Sequence, residues 1–166
     1  MGSPAKTRKP NLHPETRPPV LVLGVGNILV QDEGVGVRVV EAMREVQSPG
    51  EVELFDGGTA GADLIDEVSE RRKVIVIDAV QSEEPPGTIF RLTPADFASQ
   101  RAPVTSLHQV GFLETLRMTE HLGCAPEEVI IFGVTPKNLA WGDRLSQEVA
   151  EVIPKLIELI SAELGM

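Results

Sequence analysis

The chain has 166 residues, 42% of them hydrophobic and 24% charged, with a net charge of −10 and a single cysteine. The length suits one domain of the common ~100–150-residue size, and the composition excludes a mostly disordered protein. The acidic balance argues against a phosphate-backbone binder, and without a run of ~18 apolar residues no membrane-spanning helix is expected. Cys124 has no partner for an internal disulfide, which fits a reducing compartment; the expected location is the cytoplasm, with neither nucleic acid nor membrane as partner.

Residues 1–19 carry Lys6, Arg8, Lys9 and Arg17 against Glu15, hold Pro4, Pro10, Pro14, Pro18 and Pro19, and have almost no large apolar side chains. Such a segment cannot bury enough surface to offset its ordering entropy, so it is predicted to be a disordered basic arm. It lacks the apolar core of a signal peptide. Residues 20–166 are predicted to form a single folded domain.

Val20–Gly24 is a continuous apolar run after a proline, as expected of a strand buried on both faces. Val39, Val40, Met43 and Val46 fall at helical spacing and predict a helix over 33–46, stopped by Pro49-Gly50. Glu51–Phe55 alternates like a half-buried strand, Leu64, Ile65 and Val68 mark a second helix, and Lys73–Asp78 reads as another buried strand. Gly87–Leu92 suits an edge strand, a helix is predicted over 106–121 with Val110, Leu113 and Leu116 inward, and Glu128–Val134 is a further buried strand. The apolar stripe from Val149 to Leu164 predicts one long helix N-capped by Ser146 and kinked at Pro154. This alternation predicts a single-domain α/β three-layer sandwich, its mostly parallel twisted sheet flanked by helices on both faces.

In such folds ligands bind outside the carboxyl ends of the strands, so the residues there carry the functional argument. Gly24-Val25-Gly26-Asn27 leads to Asp32-Glu33-Gly34. A dinucleotide loop fits poorly: the third glycine of G-x-G-x-x-G would fall at Leu29, and two acids stand where a pyrophosphate needs amides. The glycines are better read as turn residues that deliver Glu33 to the mouth of the sheet. The second strand ends in Asp56-Gly57-Gly58-Thr59, where Asp56 fits equally a role bonding the amides of the turn. The third ends in Asp78, and Ser106-Leu107-His108-Gln109 puts an imidazole in the first turn of a helix.

If the first and third strands are neighbours, Glu33 and Asp78 come together, and two carboxylates with one imidazole suit a divalent transition metal. The structural alternatives are a solvated helix-start histidine and an aspartate that caps a strand end. No G-x-S-x-G elbow or H-E-x-x-H helix is present. Ser106 does not face His108 on a helix, and Cys124 reads as a packing residue. Trp141 is expected as a partly buried loop anchor, with contact to a substrate tail the second reading.

These blocks, with a weaker one at Gly133-Val134-Thr135-Pro136 and Leu145-Ser146, resemble the hydrogenase maturation endopeptidases across residues 20–162. Those proteases trim the C-terminal extension of the large-subunit precursor of nickel–iron hydrogenases after nickel insertion. The resemblance implies a metal-binding trio of Glu33, Asp78 and His108, with Asp56 a further acid needed for activity. It also implies that the metal is nickel supplied by the precursor, although another divalent transition metal could occupy the site. The expected protein is thus an aspartic-type, metal-dependent endopeptidase, acting as a monomer on that precursor; the arm matches nothing in the pattern. Two other classes compete. A phospho-accepting receiver module would hold magnesium on Asp32, Glu33 and Asp78, with Asp78 the acceptor and Lys137 nearby, although a receiver's acid pair follows its first strand directly. The other is a binding module without turnover.

Overall fold

The computed structural model describes residues 17–46, 50–59, 64–99 and 107–166, with the side chains of 107–110 outside that description. The elements in order are β1 (Val20–Val25), a 3-10 turn (Gln31–Gly34), α1 (Val35–Glu45), β2 (Val52–Gly58), α2 (Ile65–Val68), β3 (Lys73–Ala79), β4 (Ile89–Leu92), α3 (Pro94–Ala98), α4 (Leu107–His121), β5 (Glu128–Val134), α5 (Gln147–Ala150) and α6 (Ile153–Glu163). The sheet order is β2-β1-β3-β5-β4. β1 pairs in parallel with β2 and β3, β3 with β5, and only β4 runs antiparallel, on the outer edge of β5.

Strand residues alternate between two cores, because successive side chains leave a sheet on opposite faces. Val22, Ile75, Ile77, Ile130 and Phe132 pack with Val35, Val39 and Met43 of α1, Val149 of α5, and Leu156 and Ile160 of α6. Leu21, Leu23, Val74, Val76 and Ile131 pack on the other face with Val68 of α2 and Phe112 and Leu116 of α4. That is the expected α/β sandwich with helices on both faces.

The predicted long C-terminal helix is broken rather than kinked. α5 ends at Ala150, and Pro154 occupies the first turn of α6. There its missing N–H costs nothing, since the first amides of a helix have no intrahelical acceptor. Ser146 is the N-cap of α5, accepting a bond from Val149 N at 3.4 Å. Val46 lies beyond the end of α1 and is exposed rather than inward. α3 was not expected; its capping box couples Thr93 and Asp96.

The arm needs one correction as well. Arg17 bonds Glu67 at 2.8 Å, and the carbonyls of Pro18 and Pro19 accept bonds from Arg71 and from the amides of Arg72 and Lys73. Residues 17–19 therefore belong to the folded body, while residues 1–16 lie outside the described residues. Of the residues assigned to the helix by sequence, Ser106 also lies outside the described residues, and Val110 has its side chain outside them.

At the amino pole of the sheet Glu163 binds Lys73 at 2.9 Å and Arg91. The hydrogen bond from Arg91 foremost, then that from Lys73, holds its carboxyl at about 2 against the opposing effect of burial. A depressed folded-state value stabilises the protein above the unfolded carboxyl range, and this is lost as pH falls towards 2. Thermal unfolding of Glu163→Gln is therefore expected to depend less steeply on pH between about 4.5 and 2 than that of the parent. Equal pH profiles would reject the assignment.

Candidate active site at the carboxyl ends of the strands

From β1 the chain crosses to β2 on one side and afterwards to β3 on the other, which makes the carboxyl ends of β1 and β3 the switch point of the sheet. Two glycines fix what covers it. Gly26 has φ +128°, and a Cβ there would stand 1.9 Å from the carbonyl oxygen of Glu33. At Gly36 a Cβ would stand 2.1 Å from the Ile77 oxygen and 2.7 Å from that of Val25. Only glycine allows approaches this close, and together they lay the Gln31–Gly34 turn over the ends of β1 and β3.

Glu33 on that turn is half-buried. Asp78 is wholly buried near the end of β3, its Cα paired with Gly133. The condition for bringing Glu33 and Asp78 together, adjacency of the first and third strands, is met, with β1 and β3 paired from Val20↔Lys73 to Gly24↔Ile77. A buried carboxylate in this low-dielectric setting favours interaction with a cation or with hydrogen-bond donors.

Asp56 lies at the neighbouring mouth of β2, in register with Gly24. Its carboxylate is exposed, and Oδ1 accepts the Gly58 amide at 2.9 Å, an Asx turn. Gly26 N donates to Gly58 O at 2.7 Å, so the Asp56 turn and the glycine loop under Glu33 are joined. His108 is the second residue of α4. The far end of α4 reaches the amino pole, where Glu70 N donates to Cys124 O at 2.8 Å. Fifteen helical residues span about 22 Å, which carries the first turn of α4 to the carboxyl pole. The His108 side chain itself lies outside the described set. Among the described side chains, His108 thus excluded, no three His, Cys, Asp or Glu residues are grouped as metal ligands.

The sequence reading missed the work of Asp32. Its buried carboxylate accepts the amides of Lys137 and Asn138 at 2.9 Å each, the Ser146 amide at 2.7 Å and the Ser146 hydroxyl at 2.8 Å. These four bonds occupy it as a structural anchor, which removes it from the magnesium set of a receiver module. Lys137, the receiver's expected lysine, pairs instead with Glu148. Trp141 is also corrected: it is 80% exposed and anchors nothing. Cys124 keeps its packing role, with Sγ 3.3 Å from the Ser69 hydroxyl.

Comparison with known proteins identifies the family. The family model for HycI, hydrogenase maturation protease, matches residues 37–163. The chain is 37% identical to the hydrogenase 2 maturation protease of Escherichia coli over 151 residues, 87% of this chain and 90% of that protein. It is 40% identical to the hydrogenase expression/formation protein HupD of Rhizobium leguminosarum over 89% of this chain and 74% of that one. The solved hydrogenase maturating endopeptidase HybD of E. coli superposes with a TM-score of 0.79 at 37% identity, covering 87% of this chain and 91% of that one. With family model, sequence relatives and fold in agreement, the chain belongs to the hydrogenase maturation protease family and is a hydrolase of peptide bonds.

Proposed function

We propose that the chain removes the C-terminal extension of a nickel–iron hydrogenase large-subunit precursor after nickel insertion, and that it reads the inserted nickel through Glu33, Asp78 and His108. The supporting observation is the placement of the Glu33 turn over the β1 and β3 ends, beside buried Asp78. Two carboxylates at one mouth repel unless a cation lies between them, and an imidazole from the first turn of α4 completes a donor set suited to borderline divalent metals. Nickel here is part of the substrate. Its capture anchors the precursor, so that the scissile peptide is held rather than encountered by diffusion, an effect worth several kcal/mol.

Asp56 is the chain's own candidate for proton transfer. The Gly58 amide orients its exposed carboxylate beside the glycine loop. As general base it takes a proton from the water that attacks the peptide carbonyl, and it returns that proton to the departing amine. The C–N bond breaks, and one water is consumed for two chains released.

The test mixes the full chain with precursor large subunit, with and without nickel, and reads the C-terminus by mass spectrometry. The expected result is loss of one C-terminal peptide from the nickel-loaded precursor alone. Equal trimming of the nickel-free precursor would overturn the nickel-reading role, and trimming of neither would overturn the assigned substrate.

A further inference from the structure

Among the described residues, four of the eight exposed large apolar side chains gather on two loops at the carboxyl pole: Ile28 and Leu29 after β1, and Leu139 and Trp141 after β5, at 36%, 55%, 43% and 80% exposure. The loops are tied together. Val30 and Gly142 form a parallel bridge, Gly142 N donates to Leu29 O at 2.9 Å, and Gln31 N donates to Gly142 O at 2.9 Å. Asp32 N donates to Asn138 O at 3.1 Å, and the Asp32 carboxylate takes its four bonds from Lys137, Asn138 and Ser146. A buried charge satisfied by backbone amides is costly to displace, so the two loops form one rigid rim. The next residue after Asp32 is Glu33. Rim and cleft acid are therefore mounted on a single anchor.

We propose that this rim is the docking surface for the precursor polypeptide beside its scissile bond, an extended segment with apolar side chains, and that Asp32 is the positioning residue that holds the rim in register with Glu33. The inference rests on the substrate class argued above. Continuity with the cleft selects the occupant: Leu29 precedes Glu33 by four residues, so a chain whose scissile bond lies at the β1–β3 mouth runs across Leu29 and Trp141. The rigid mounting serves the same end. Exposed aromatic and aliphatic anchors on an already ordered loop bind without a further ordering cost, and such anchors dominate interface energies. A second copy of this chain is the competing occupant.

The experiment follows trimming kinetics of the full chain on nickel-loaded precursor, at a temperature where every variant is folded. Trp141→Ala is expected to raise KM about tenfold or more with kcat within about twofold. Asp32→Asn presents an amide N–H to a donor that needs an acceptor. It is expected to raise KM, lower kcat and speed hydrogen exchange at the amides of Lys137, Asn138 and Ser146. Leu156→Ala, a cavity in the core against α6, is the control for lost stability alone and should change neither KM nor those amides. An unchanged KM for Trp141→Ala, or a concentration-dependent dimer that Trp141→Ala disperses, would overturn the docking surface. Asp32→Asn behaving as Leu156→Ala does would overturn the positioning role. A parent protein that trims no precursor fails the substrate assignment itself, and the inference falls with it.

Discussion

Glu33→Ala and His108→Ala are each expected to leave a folded chain and to lower trimming of a nickel-loaded precursor by at least about 100-fold, the scale of losing one preorganised polar contact in a transition state. The folded state should survive because Glu33 is not among the residues of either apolar core and α4 keeps its own packing residues. Glu33 is half-buried on a turn whose path is set by Gly26 and Gly36, and His108 stands in the first turn of a helix held in place by Phe112 and Leu116 further along. Alanine also favours helix over histidine. Asp56→Asn separates the two functions. It keeps the Asx bond to Gly58 through its amide oxygen but cannot accept a proton at working pH, so it should hold nickel-loaded precursor in a stable complex without cutting it. Mass spectrometry of the C-terminus, co-elution of the complex and thermal unfolding together give the readout. Normal trimming by Glu33→Ala or His108→Ala would end the trio, and normal trimming by Asp56→Asn would move proton transfer elsewhere.

The parts of this protein legible from sequence are those set by local pattern. β1, β3 and β5 are continuous apolar runs, and a strand buried on both faces has no other signature. Their burial makes Asp78 conspicuous, as the one acid closing such a run in β3. The glycines around Glu33 were legible as a turn, but not as the close approaches that lay it on β3, because the Ile77 oxygen lies about forty residues further along the chain. Asp32 was illegible for the same reason, since its partners stand 105 to 114 residues away. Trp141 misled because a tryptophan usually lies largely buried, whereas here the bonds of Gly142 to the first loop hold its neighbour outward. The break at Pro154 was hidden by an apolar stripe that keeps helical spacing across two helices, Val149 and Leu156 both being wholly buried. The capping box at Thr93 was present in the sequence, but five residues with no buried side chain leave no periodicity to notice.

Gly36→Ala is expected to destabilise the protein, against the propensity argument. Gly36 is the second residue of α1, and an alanine in a helix is favoured over glycine by about 1 kcal/mol, in part by restricting the unfolded chain. The opposing term is contact. The added Cβ would lie 2.1 Å from the Ile77 oxygen, 2.7 Å from the Val25 oxygen and 2.9 Å from the Val25 nitrogen. All three are backbone atoms of paired central strands, so no side chain can rotate away, and the helix start has to lift from the sheet. Overpacking of this kind costs about 1–3 kcal/mol where side chains can adjust, and more is expected where only backbone is available to move. A net loss of about 2 kcal/mol should lower Tm by roughly 4–8 °C for a chain of this size, at about 2–4 °C per kcal/mol. Activity should fall further than stability does, because the residues lifted with α1 include Gly34 and Glu33 at its threshold. Gly50→Ala is the matched control: no described residue lies within 4 Å of its Cβ position, and it should leave both Tm and trimming unchanged. A Gly36→Ala variant as stable as the parent would show that α1 does not rest on β1 and β3 through this contact, and the placement of Glu33 over the cleft would lose its physical basis.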